Sequence, residues 1–537
     1  MNKPRSRLAV ASLVLGLVGC WFVLLRAPFL LVLAIPLGIV TLLCGVAAAW
    51  KTSRRGTAVS GRGMAIAGIC LGVAASFFGS VVLVIVVAQE QQRFQGNHDY
   101  HHRHAEFSRS PMRDIPATNF TSNLPIVVLQ TDGQYVSKES RSFVRTRFHD
   151  AKKGQRAALD SSPDHAGFGT INLRGHSTLG LPKPSYTFHV TDERTNQVKV
   201  PLLGLPAEED WILYAPFEDK SMIRDVLAYE LARRMGHYAP RTRYIELFLQ
   251  NNADEDNAVS MGDYMGVYVL VERIKRGKDR VNIAKLDEDD KDEPAISGGY
   301  IVKRDHGEGG GGRFRTARGG PFFYVYPKSR DITSAQKSWI RDYFVAFEEA
   351  LYSENFADRR EGYGAYLDVG AFIDSHWLVE LSKNVDGFRY SAYLTKDRGK
   401  KLAPGPAWDW NRAFGNANYY DGEKVRGWYW MRLRPNEISW HQRLRDDPAY
   451  VERAAKRWVE LRKDVLDPKK VSALIDQYAA ELKEAQERNF ERWPILGVHI
   501  SSNYYVGDSH RDEVEWLKKW IERRIDWIDS QVEEREL

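Results

Sequence analysis

The stretch ELSKNVDGFRYSAYLTKDRGKKLAPGPAWDWNRAFGNANYY, residues 380–420, decides how this chain is read. Within it Asp409 stands between Trp408 and Trp410. An acid is rare among aromatic rings unless it is paired, hydrogen-bonded or bound to a metal. Asp386 lies upstream, and two short strand patterns, RYSAYLTKD and KKLAPGPAWD, separate the two acids as a hairpin. Such a hairpin can bring both carboxylates to one edge. Asn384 and Asn411 stand beside them, and carboxylate and amide oxygens are the donors that hard cations such as Mg²⁺ prefer. The spacing alone leaves a plainer reading open, in which the acids cap helices or pair with Arg389 and Arg412.

The surrounding chain reads as β-rich first and helical later. LPIVVLQT (124–131), FGTINLRG (168–175), SYTFHVTD (185–192), DWILYAP (210–216) and GGYIVKRD (298–305) have strand character. RYIELFLQ and GVYVLVERI form an expected hairpin around a polar insert. A helix is expected over 219–236, ending at Gly236. The glycine-rich loop 307–320 lacks the Lys-Ser or Lys-Thr of a Walker phosphate loop. From 334 onward helical patterns dominate and tryptophans accumulate. The expectation is an α+β, two-lobed domain with a β-rich lobe over 124–333 and a helical lobe over 334–537.

The N-terminal end differs. Residues 8–25, 28–49 and 64–88 are almost uncharged and close to the ~20 residues a membrane-crossing helix needs. Lys3, Arg5 and Arg7, then Lys51, Arg54, Arg55 and Arg62, favour a cytoplasmic side for the flanking segments. Three spans make 1–88 a transmembrane helical region and put the large domain outside a bacterial cell membrane. A kink at Arg26–Pro28 would reduce the count to two and reverse that side. The blocks LAVASLVLGLVG and GRGMAIAGICLG resemble a glycine-rich membrane domain found at bacterial N-termini. Residues 89–123 read as a linker, and its His98, His101, His102 and His104 lack the partners of a specific metal site.

Composition adds limits. The three cysteines, Cys20, Cys44 and Cys70, all precede the large domain, which excludes a disulfide framework or a thiolate zinc site there. A net charge of +6 over 537 residues, with both signs interleaved, gives no case for a nucleic-acid partner. The 15 tryptophans and 25 tyrosines point first to an aromatic core and second to a ring-shaped ligand.

Arg174-Gly175-His176-Ser177 precedes Lys183 in a strand–turn–strand setting, where a glycine turn can let backbone amides approach a phosphate. With the two downstream acids, this is the layout of a kinase. Together with NLRGHSTLGLPKPSYTFHV, DWILYAPFEDKSMIRDVLAYELARRMG, YMGVYVLVERIKRGKDRVNIAKL, SGGYIVKRD and the terminal NFERWP, the 380–420 stretch resembles the spore-coat protein H (CotH) kinase family. The resemblance implies an atypical protein-kinase-like fold, with ATP and Mg²⁺ or Mn²⁺ as cofactors and Ser/Thr-rich segments of surface or envelope proteins as acceptors. It implies Asp386 as general base, Asp409 as metal ligand and Lys183 as a phosphate contact, with Arg174 and Gly175 in the phosphate turn. Glu230 is the candidate to pair with Lys183. Glu272 either faces the nucleotide or is structural.

Departures from the pattern qualify these roles. Ser391 stands where ordinary kinases carry a metal-binding asparagine, and Asn411 stands where many relatives carry a second acid. Asn384 or Asn411 then supplies the missing oxygen, or the protein is a catalytically weak pseudokinase-like binding module. A hydrolase using Asp386 and Asp409 as acid and base is a third reading.

Overall fold

The computed structural model describes residues 115–534 except 153, 176, 252–257, 306–311, 435–436, 438–439 and 501, together with isolated positions 40, 41, 43, 44, 46 and 70. The chain forms two compact units, Met1–Arg109 and Ser110–Leu537. All elements below belong to the second.

The first strands are β1 (Thr121–Ser122), β2 (Ile126–Gln130), β3 (Ser142–His149), β4 (Ala157–Ala158), β5 (His165–Arg174), β6 (Ser185–Thr191) and β7 (Asp210–Tyr214). Helix α1 (Arg224–Arg234) follows, then β8 (Thr242–Gln250) and β9 (Tyr264–Glu272). β1 and β4 form a small ladder of their own, and the other seven strands close into a barrel in the order β2-β3-β5-β6-β7-β9-β8. Neighbours are antiparallel except β2 and β8, whose parallel pairing shuts the barrel.

Period-two alternation explains the barrel's interior. Tyr186, Phe188 and Val190 of β6 meet Trp211 and Leu213 of β7, Ile245 and Leu247 of β8, and Tyr268 and Leu270 of β9 in one buried core. Each such side chain contributes roughly 1.5–3 kcal/mol through burial. Gly169 is required where β5 crosses β6, since a Cβ there would lie 2.6 Å from the Phe188 ring.

A second sheet holds β10 (Tyr300–Arg304), β11 (Arg313–Phe314), β12 (Phe322–Tyr326), β13 (Ala392–Lys396) and β14 (Leu402–Pro404), in the order β11-β12-β10-β13-β14. Between β12 and β13 run α2 (Ser334–Tyr352) and α3 (Val369–Ser382). After β14 come α4 (Trp440–Leu444), α5 (Pro448–Arg462), α6 (Pro468–Leu482), α7 (Ala485–Arg492) and α8 (His510–Glu533). Asp447 and Asp467 cap helices that start with proline, and Ser509 caps α8. Each supplies the oxygen that the first free N–H groups need.

The expected strands recur and β13–β14 is the expected hairpin. Helix α1 begins five residues later than expected. Asp219 folds 219–222 into a turn by accepting from the Ser221 and Arg224 backbone N–H groups, with Met222 at φ +60°.

The expected fold class is corrected. Among the described residues there is no transmembrane helical region, and a two-lobed kinase-like domain with a β-rich lobe and a helical lobe is not what forms. The β-rich part is a closed seven-stranded barrel, and the helical part shares the second sheet with strands from before residue 334. Among the described residues no helix is long and apolar enough to cross a membrane. Even the 24-residue α8 carries charges throughout its length. That overturns the expected multi-pass localisation in a bacterial cell membrane with an extracytoplasmic large domain. The glycine-rich membrane domain likewise finds no support. The stretches 8–25, 28–49 and 64–88 lie outside the described residues except for the isolated positions above, and so do the four linker histidines.

Candidate active site

Helix α3 ends where Lys383 turns into the left-handed region at φ +44°. The released loop carries Asn384 and Asp386 and leads into β13. The β13–β14 hairpin then returns the chain to Asp409. Asn384 fastens the two acid-bearing segments: its Oδ1 accepts from the Asp386 N–H at 3.1 Å, and its Nδ2 donates to the Asp409 carbonyl at 3.3 Å. Both ends of that amide are therefore committed to backbone, and Asn384 acts as a scaffold.

Asp409 itself lies in the left-handed region at φ +67°, a strained position for a residue with a side chain. Helix α1 holds it there. The Asp409 N–H donates to the Tyr229 hydroxyl at 3.3 Å, that hydroxyl donates to Asp225 at 3.0 Å, and the Trp410 N–H donates to the same Asp225 oxygen at 2.8 Å. Tyr229 also stacks on Trp408, with 6.1 Å between ring centroids and 14° between planes. The flanking tryptophan is thus a wall that positions the aspartate.

The Asp409 carboxylate is solvent-exposed on one side and closely surrounded by protein on the others. That desolvation, and next the charge of Asp386, raises its carboxyl above the usual range, with Asp305 adding to the effect. Its side-chain hydrogen bond comes from Ser391 Oγ at 3.0 Å. Ser391 therefore orients the acid at the position where an asparagine ligand was considered. Burial, then the charge of Asp409, pushes Asp225 up to about 7.

The plainer reading holds for part of this set. Arg389 pairs with Asp386 at 3.2 Å, but through Nη2 alone, while Nη1 bonds Glu437 at 2.8 Å. Arg412 turns to Glu218 at 3.2 Å and to the Tyr419 hydroxyl at 3.1 Å. Asn411 Nδ2 donates to the other Glu218 oxygen at 3.2 Å, which leaves its carbonyl oxygen on the opposite side of the amide. Asp409, Asp386 and the Asn411 side-chain oxygen are of the donor type that a hard divalent cation takes. The mutual repulsion of the two carboxylates is the feature that a cation would relieve.

The remaining candidates divide. Arg174, at the end of β5, reaches the site, its guanidinium lying 5.3 Å from the centroid of the Trp408 ring. Gly175 follows it with φ +128° and makes the turn. Lys183 does not reach the acids. It is 2% exposed and donates to the Val267 carbonyl and to Asn489 of α7 at 2.7 Å, with the Tyr268 ring beneath it. Burial lowers its pKa well below the ordinary lysine range. Glu230 pairs with Arg233 and Arg234 on its own helix. Glu272 is buried between Arg241 and Arg280, each at 2.6 Å, and is structural.

Sequence reasoning missed Lys303, Asp305, Glu218 and Asp225. Lys303 pairs with Asp305 at 2.5 Å at the end of β10. Lys303, Arg174, Tyr393 and Trp408 line one end of a polar groove of about 1280 Å³. The signal was present in YIVKRD, where period-two alternation puts Lys303 and Asp305 on the same face as Ile301. Nothing in the sequence pattern marked Glu218, whose partners lie far along the chain.

A family model described as CotH kinase protein matches residues 171–528, about two thirds of the chain. No curated protein matches it.

Proposed function

Because the chain belongs to the CotH kinase protein family, we propose that it is an atypical kinase that uses ATP and Mg²⁺ or Mn²⁺ to phosphorylate Ser or Thr residues in protein segments rich in them. The family supports kinase chemistry in general. One observation supports this site in particular: the β13–β14 hairpin joins the two acid-bearing segments, and the charge of Asp386 raises the carboxyl of Asp409.

In this reading Asp386 orients the acceptor hydroxyl and takes its proton, with Arg389 holding one carboxylate oxygen in place. Asp409 and Asn411 would hold the divalent cation, which supplies charge neutralisation at the nucleotide phosphates. Arg174 and Lys303 flank the phosphates from the groove, in the place expected for Lys183. Ser391 and Tyr229 keep Asp409 in its rotamer and backbone conformation. Phosphoryl transfer needs mainly such positioning and electrostatic stabilisation.

A second reading, a catalytically weak nucleotide-binding module, is favoured by the withdrawal of Lys183 into the protein interior. Incubating the full chain with labelled ATP, Mg²⁺ or Mn²⁺ and a serine-rich polypeptide separates the two. Label transfer that falls by about 10²–10⁴-fold in Asp386→Ala supports the kinase. Nucleotide-dependent thermal stabilisation without transfer supports the weak module. Glycan cleavage without nucleotide would return the hydrolase reading.

A further inference from the structure

Behind the loop that carries Asp386 lies a smaller cavity of about 90 Å³. Asn384, Gly387, Phe388 and Ser391 line one part of it, and Phe372 and Leu394 belong to its apolar walls. Among the polar side chains that line it are Arg304, Trp410 and His441. Arg304 ends β10 and is only 5% exposed, yet its Nε and Nη1 are both buried without a hydrogen-bond partner. The indole Nε1 of Trp410 and the Nδ1 of His441 are buried without partners too. Burial, and then the charge of Arg445, lowers His441 to about 3, so its ring is neutral.

The neighbouring acids are committed elsewhere. Asp374, which lines the same cavity, is held by His237 at 2.8 Å and Arg457 at 2.6 Å. The two oxygens of Glu437 bond Arg389 and the Arg434 N–H. Nearby Arg389 has a full set of partners, whereas Arg445, whose charge acts on His441, shares the lack at its Nε and Nη2. The charge of Glu437 acts on Arg304, but buried guanidinium N–H groups without acceptors are unfavourable, and a native fold keeps them when something satisfies them.

We propose that this cavity binds a small carboxylate anion through Arg304, with the Trp410 N–H and His441 as further contacts. The volume suits a molecule of a few heavy atoms. One guanidinium with unpartnered N–H groups, next to apolar walls such as Phe372 and Leu394, matches a short apolar body with one anionic head. Phosphate carries more charge and requires more donors than these walls offer. The occupant touches the walls formed by Asn384, Gly387 and Ser391, so it stiffens the loop that holds Asp386. Binding at this site does not depend on phosphoryl transfer.

The test uses the full chain, thermal unfolding and calorimetry, with acetate, propionate and inorganic phosphate against chloride at equal ionic strength. Acetate or propionate raises Tm saturably and binds at one site. Arg304→Gln weakens that binding about tenfold or more. Arg304→Met abolishes the carboxylate shift without lowering the ligand-free Tm, because it removes buried N–H groups that lack acceptors. If Arg304→Met does not fold, His441→Phe serves as the second variant, and it weakens binding with Arg304 intact. No saturable shift with either carboxylate, the same shift in Arg304→Met, or preferential binding of phosphate overturns the proposal.

Discussion

Lys183 and Asp409 are both charged residues to which the family resemblance gives site roles, and the fold treats them in opposite ways. Around Lys183 the protein supplies a carbonyl, an amide oxygen and an aromatic face, so the group is satisfied from within. Around Asp409 it supplies one serine hydroxyl and another acid. The first arrangement joins the barrel strand β9 to helix α7. The second sets the carboxyl against Asp386, with the charges of Arg412 and Arg174 acting in its favour. Two charged residues thus differ in how far the protein's own groups satisfy them, a difference that residue type does not show.

The largest test of that contrast is Asp409→Asn. It should reduce phosphoryl transfer on the order of 10³-fold while Tm holds or rises, because the substitution removes the repulsion from Asp386. Transfer at the wild-type rate would break the contrast. Lys183→Met should do the reverse. Stability falls by about 1–3 kcal/mol as Val267 and Asn489 lose their donor, while turnover per folded molecule stays within about threefold of wild type. Chemical denaturation with parallel single-turnover kinetics reads both.

Lys303→Met sharpens the comparison by testing the cation that stands where Lys183 was expected. Its ATP KM should rise about tenfold, the loss of one charge contact, with kcat changed much less. The smallest effect concerns pH. The carboxyl of Asp225 is raised to about 7 in the fold, by burial first and by Asp409 second. The unfolded chain ionises near the ordinary aspartate value of about 4, so between there and about 7 the folded state binds more protons. Stability therefore falls as pH rises through that window, by at most about 1.4 kcal/mol per unit from this group. Asp225→Asn should flatten that part of the Tm–pH curve.

Local pattern made much of this visible in advance. Strand patterns marked the barrel strands other than β3, and the segment between Asp386 and Asp409 was readable as a hairpin. Barrel closure was not readable, because it depends on β2 meeting β8 in parallel, a pairing between distant segments with no local signature. The same limit hid the fate of Lys183, whose partner Asn489 lies 306 residues away. Glu218 was hidden in the same way, since Asn411 and Arg412 reach it across most of the domain. The apolar N-terminal stretches show the opposite failure: composition alone argued for membrane spans, and no described helix bears that out.

The backbone twist at Asp409 has a consequence for how the site can be lost. Glycine adopts φ +67° without penalty and asparagine tolerates it well. Either replacement would also silence the electrostatic conflict with Asp386. Random drift at this codon is thus rewarded with a sturdier protein and punished only through lost chemistry. Under the proposed function an aspartate here is kept by use, and a descendant freed from that task would be expected to shed it early.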